Sequence, residues 1–86
     1  MVTPEAIQLY LSEKIDCAHL AVDGDGAHFQ AVIVAAAFTG KSRVQRHQIV
    51  YAALGDRMRE EIHALSMQTL TPAEWSQHDL NPVGNS

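Results

Sequence analysis

Five histidines, one cysteine and two aspartates in a glycine turn are the residues of this 86-residue chain whose types and spacing could do chemistry. His28 closes the stretch "VDGDGAH", and His63 opens "HALSMQTL". Each stands where an apolar or alternating run begins, which is where a strand starts. If those two strands run side by side in one direction, both imidazoles fall at the same end of a sheet. They would then make half of a metal site, with the remaining ligands supplied by a second molecule. The competing account is a pair of satisfied side chains at strand ends, and spacing alone leaves both open. His19 and His78 sit in no pattern and are assigned to the surface. His47 falls on the apolar stripe of a helix and is assigned to packing.

Asp23 and Asp25 are two apart, and paired carboxylates can do acid–base work. Gly24 and Gly26 interleave with them, so turn chemistry accounts for the pair better. The same stretch matches part of a calcium loop but lacks the terminal glutamate that loop requires. Cys17 is the single cysteine, which leaves no intramolecular disulfide and no all-cysteine metal site within one chain. It suits a reducing compartment and reads as a small, partly buried residue. No nucleophile elbow, phosphate loop, dinucleotide-binding glycine pattern or paired-histidine zinc helix occurs. The expectation is a protein that is not an enzyme and has no small-molecule substrate.

The net charge of −4 is unevenly spread. Residues 1–40 and 60–86 each sum to −4, while residues 41–59 sum to +4 through Lys41, Arg43, Arg46, Arg57 and Arg59 against Asp56. This basic middle segment is either a solvated helix face or a surface for an anionic partner. Hydrophobic residues make up 47% of the chain, as in ordinary globular domains. The longest apolar run, "AVIVAAAF", is too short to cross a bilayer, and the N-terminal stretch lacks the pattern of a signal peptide. The expectation is a cytoplasmic protein with one domain over residues 1–80 and a flexible tail at 81–86, with no membrane partner.

The elements that must position these residues follow from periodicity and punctuation. Thr3, Pro4 and Glu5 are a helix start, and Ile7, Leu11 and Ile15 form one stripe, giving a helix over about 4–15. His19–Asp23 and His28–Ala37 are two strands joined by "DGDG" as a hairpin. The run from Ala31 to Phe38 is apolar on both faces and marks the second strand as central. A helix starts at Ser42, with Val44, His47, Val50, Tyr51 and Leu54 as its inward stripe and Gly55 as its stop. "DRMREE" carries a short further helical turn. In the third strand His63, Leu65, Met67 and Thr69 share one face. Thr71, Pro72 and Glu74 open a last helix with a capping box. Tyr51 and Trp75 are assigned to packing. Strand 3 follows a helical crossover and lies parallel to one of the first two. The order α-β-β-α-α-β-α gives an α+β domain, a three-stranded mixed sheet covered by helices on one face.

The stretches Phe38-Thr39-Gly40, Val44-Gln45-Arg46-His47, Val50-Tyr51, His63-Ala64-Leu65 and Thr71-Pro72-Ala73-Glu74-Trp75 together resemble the BolA family, and most of all its short acid-stress branch of the YrbA/IbaG type. The resemblance covers nearly the whole chain, from the first helix through Trp75. It implies a class II KH-like fold, in agreement with the derived order. It also implies a non-enzymatic partner of monothiol glutaredoxins, acting in iron–sulfur or iron homeostasis and stress response. In that pairing a bridging [2Fe–2S] cluster is shared with the glutaredoxin cysteine and glutathione, and none is expected in the isolated monomer. The family's histidine before the third strand maps onto His63, and a loop ligand maps onto His28. Cys17 lies outside that loop and is not carried over. Nucleic acid is the competing partner, because KH-like folds bind single strands and the 41–59 segment is basic. Against it stand the missing G-x-x-G clamp and the acidity of the whole chain.

Overall fold

Residues 2–25, 27–56 and 64–80 are described by the computed structural model of this chain. The first helix, α1, spans Pro4–Lys14. Its N-cap is Thr3, whose Oγ1 accepts the Ala6 N–H at 3.1 Å, with Pro4 at the first helical position. The expected stripe is the buried one: Ile7, Leu11 and Ile15 are all in the core.

Strands β1 (Cys17–Gly24) and β2 (Phe29–Ala35) form the expected antiparallel hairpin. β1 begins at Cys17, two residues earlier than alternation suggested, with a register irregularity between Cys17 and His19. β2 ends earlier than its apolar run. Ala36–Phe38 is a 3₁₀ turn, which swings Phe38 into full burial. Apolarity alone extended the strand because it does not register where the backbone bends.

Helix α2 spans Arg43–Leu54. Ser42 and Gln45 close a reciprocal capping box at its start. Gly55 ends it at φ 60°, and its N–H donates to the Tyr51 carbonyl. The buried side of α2 differs from the expected stripe. Val50, Ala53 and Leu54 are buried, whereas Val44 is 65% and Tyr51 43% exposed. The buried side of the helix is turned towards Ala53, a small residue without a strong hydrophobic signal. The packing assignment of Tyr51 is thereby corrected: its ring lies outside the core, edge-on to His47 with centroids 6.4 Å apart. The expected helical turn in "DRMREE" lies, after Asp56, outside the described residues.

Strand β3 (Leu65–Leu70) pairs parallel with β2, so the sheet order is β1-β2-β3 with β2 in the middle. Phe29 aligns with Leu65 at one end and Val34 with Leu70 at the other. Phe29, Ala31, Ile33 and Ala35 point into the core that α1 and α2 cover, joined there by Leu20, Val22, Leu65 and Met67. The opposite face carries Asp23, Gln30, Ser66 and Gln68, all exposed. The last helix, α3, spans Pro72–Leu80. Its Trp75 stacks on His19 with centroids 4.5 Å apart and planes 15° from parallel. His19 pairs with Val34 in register, so the stack joins α3 to the sheet rather than leaving His19 an isolated surface residue. The architecture is the expected α+β domain with a three-stranded mixed sheet, but the helices are not confined to one face: α1 covers the core side, while Trp75 of α3 meets His19 on the other.

Ile33 is fully buried in the central strand, and its truncation leaves a cavity. Ile33→Ala should lower unfolding free energy by about 2–5 kcal/mol, whereas Val44→Ala should change it by less than about 0.5 kcal/mol. Urea denaturation of both variants tests this. A loss at Val44 matching that at Ile33 would return Val44 to the core.

Candidate functional site

The loop between β1 and β2 holds the first candidate. Asp25 organises it: its Oδ1 accepts the N–H of Ala27 at 3.0 Å and of His28 at 2.9 Å. These two bonds hold the Asp25 carboxyl below its ordinary range, with the His28 N–H the larger cause. The Asp25 N–H donates back to the His28 carbonyl at 3.2 Å. Asp23 Oδ1 accepts the Gly24 N–H at 2.8 Å. Both aspartates therefore do turn chemistry, as the glycine pattern suggested. Gly24 is needed for space. A Cβ there would strike the His28 carbonyl oxygen and stand 2.7 Å from Phe29 Cδ1.

His28 itself is exposed, directly before β2. Its neighbour Phe29 donates an N–H to the Ala64 carbonyl at 2.8 Å. The loop end and the entry to β3 therefore meet at one end of the sheet. His63, Arg57 and Arg59 lie outside the described residues. An exposed imidazole on a fixed loop is a donor suited to iron. Among the described residues no group of three or more His, Cys, Asp or Glu is placed to hold a metal ion. Of the two candidate metal ligands, His28 alone falls among the described residues. Cys17 is half-buried, and its thiol donates to the Ile15 carbonyl at 3.4 Å. Burial, and then the Asp16 carboxylate, push that thiol up from its usual value, which disfavours the thiolate that metals and electrophiles need.

The second candidate lies at the other end of the strands. Lys41, Arg43, Arg46 and His47 line a shallow groove with the β3 segment Met67–Leu70 and Glu74. Structure brings three of the five basic residues together here. The groove runs along β3 from Met67 to its end at Leu70, whereas His28 precedes Phe29, which aligns with Leu65 at the start of that strand. Lys41 and Arg43 are exposed, but Arg46 is engaged on every side. Its Nε donates to the Lys41 carbonyl at 3.0 Å, and Nη1 donates to the Thr69 carbonyl at 3.0 Å. Nη1 and Nη2 donate to the two Glu74 oxygens at 2.7 and 3.2 Å. Glu74 Oε1 also accepts the Thr71 N–H at 2.9 Å, while the Glu74 N–H donates to Thr71 Oγ1 at 3.1 Å, completing the expected capping box. The Arg46 guanidinium, and then the Thr71 N–H, hold the Glu74 carboxyl down at about 2. The sequence showed Glu74 as a cap but not as the partner of Arg46, because the two are 28 residues apart and no local pattern connects them.

A family model described as BolA-like protein matches residues 2–74. The acid stress protein IbaG of Escherichia coli strain K12 is 40% identical over 72 residues, covering 83% of this chain and 86% of that protein. BolA-like protein 1 of Homo sapiens is 36% identical over 84 residues, covering 94% of this chain. The chain spans 59% of that relative's length. Among solved structures, a bolA protein homologue from Coxiella burnetii superposes with a TM-score of 0.80 at 39% identity, covering 88% of this chain and 99% of that one.

Two outcomes follow from this geometry. Gly24→Ala should cost about 1–3 kcal/mol by overpacking and move the amide resonances of His28 and Phe29; urea denaturation and a proton–nitrogen spectrum read both. The Glu74 value lies below the ordinary 4.5, so the unfolded chain takes up that proton first. The stability this carboxylate confers is complete above about pH 4.5 and is lost as the pH falls towards 2. Glu74→Gln should flatten the pH dependence of unfolding in that window, and an unchanged slope would contradict the pairing.

Proposed function

Because this chain belongs to the BolA-like protein family, we propose that it is a non-enzymatic partner of a monothiol glutaredoxin, in iron–sulfur homeostasis and stress response. On this reading His63 is its first ligand, and His28 its second, to a [2Fe–2S] cluster shared with the glutaredoxin and glutathione. The observation that supports this most is the bond from the Phe29 N–H to the Ala64 carbonyl. It ties the residue after His28 to the residue after His63, at one end of a sheet whose core is otherwise apolar. Held in part by imidazole, a [2Fe–2S] group has a higher reduction potential than one held by thiolates alone.

The rest of the work falls to the chain itself. The hydrogen bonds from Asp25 hold the backbone of His28 at the start of β2, and the parallel pair sets the entries to β2 and β3 side by side. Cys17 stays a protonated thiol on the core side of β1 and leaves ligation to the histidines. The basic groove lies towards the other end of β3, so on this reading Lys41 and Arg43 meet a different part of a partner, not the ligands.

The nucleic-acid reading has one observation in its favour, the clustering of Lys41 and Arg43 on the groove. Arg46 is already bonded to Glu74 and two carbonyls. Among the described residues this leaves Lys41 and Arg43, and two phosphate contacts would give a salt slope of about −1.8 on duplex DNA; Arg57 and Arg59 lie outside that count.

Anaerobic reconstitution tests the proposal. This chain, a monothiol glutaredoxin, glutathione, iron and sulfide are mixed, and visible circular dichroism is recorded beside size-exclusion elution. A coloured heterodimer, with a spectrum distinct from that of the glutaredoxin alone and altered by His63→Ala and by His28→Ala, is expected. Elution of this chain by itself, with an unchanged glutaredoxin spectrum, would defeat the proposal and favour the nucleic-acid reading.

A further inference from the structure

His28 is exposed, and exposed loop residues ordinarily keep some backbone freedom. Here that freedom is removed on both sides of the residue. The His28 N–H is taken by Asp25 Oδ1 and its carbonyl by the Asp25 N–H. A side chain at position 24 would strike that carbonyl, and the next residue is anchored to Ala64. One residue, Asp25, thus bonds both backbone polar groups of His28 while the imidazole is left to solvent. These are the bonds of an Asx turn, and here the backbone groups they hold belong to the candidate ligand. The backbone closure is already made by the β1–β2 pairing of Gly24 with Phe29.

We infer that Asp25 is a positioning residue for His28: its carboxylate fixes the backbone from which the imidazole reaches the shared metal group. This rests on the reading of His28 as a ligand. Residues that orient a ligand from outside the coordination shell typically change metal affinity about 10–100-fold when removed. Geometry requires the Oδ1 acceptor, not the charge, so asparagine should substitute where alanine does not.

The test uses Asp25→Ala, Asp25→Asn, His28→Ala and the double variant Asp25→Ala/His28→Ala in the reconstituted complex with glutaredoxin and glutathione. Three readouts are taken: visible circular dichroism, the rate of cluster loss to a chelator, and amide hydrogen exchange at Ala27 and His28 in the metal-free chain. Asp25→Ala should free both amides, reproduce the spectral change of His28→Ala and speed cluster loss about 10-fold or more. The double variant should add nothing further, and Asp25→Asn should behave as the parent. If the amides are freed but spectrum and loss rate stay those of the parent while His28→Ala alters them, the inference falls and the ligand reading stands. If His28→Ala itself leaves the spectrum and the loss rate unchanged, the ligand reading falls and takes the inference with it.

Discussion

A parallel neighbour for β2 is the constraint on which the rest of this molecule depends. Two parallel strands cannot be joined by a tight turn, so the chain must cross over between them. The crossover contains α2, whose Val50, Ala53 and Leu54 seal the core over Ile33 and Ala31. Because β2 also pairs antiparallel with β1, it is hydrogen-bonded along both edges, and Ile33 and Val34 are buried on opposite sides of it. Parallel register also fixes ends. It sets the entries to β2 and β3 side by side, which is why the β1–β2 loop meets Ala64.

The far end of the same pair is fastened by a single guanidinium. Arg46 reaches from α2 to the last residues of β3 and to the first turn of α3, so three elements share one cation. Exposed ion pairs usually contribute little. This one differs in geometry: the guanidinium side chain is only 14% exposed, the pair is bidentate, and the carboxylate also caps a helix. Its effect is to orient α3 on the sheet, where Trp75 completes the attachment through His19. Arg46 therefore belongs to the framework, even though its groove neighbours Lys41 and Arg43 remain open to solvent.

Function follows from this division of the sheet into two ends. One end offers an imidazole on a tightly bonded loop next to the entry to β3. The other end offers lysine and arginine beside a carboxylate that offsets part of their charge. On the proposed reading, a partner that contributes metal ligands would meet the first end and an anionic contact the second.

Much of this was legible in the sequence because it rests on short-range rules. Thr3-Pro4, Ser42 and Thr71-x-x-Glu74 mark helix starts because the first N–H groups of a helix need acceptors within three residues. Alternation in Leu65–Thr69 and the apolar run of β2 gave the strands and the central place of β2. The glycine–aspartate turn gave the hairpin and the location of His28, and the motif from Phe38 to Trp75 gave the family. Other features needed the tertiary structure. The rotation of α2 that exposes Val44 and Tyr51 depends on how the helix meets the rest of the core, which no single-helix pattern contains. The Arg46–Glu74 bond and the His19–Trp75 stack join residues 28 and 56 positions apart, beyond the reach of any local rule. Which backbone groups Asp25 holds was likewise decided by the folded loop. The sequence by itself determined the elements and their starts, since those are set by nearest neighbours along the chain. The tertiary structure decided which side chains meet across elements, since that depends on packing distance rather than on spacing.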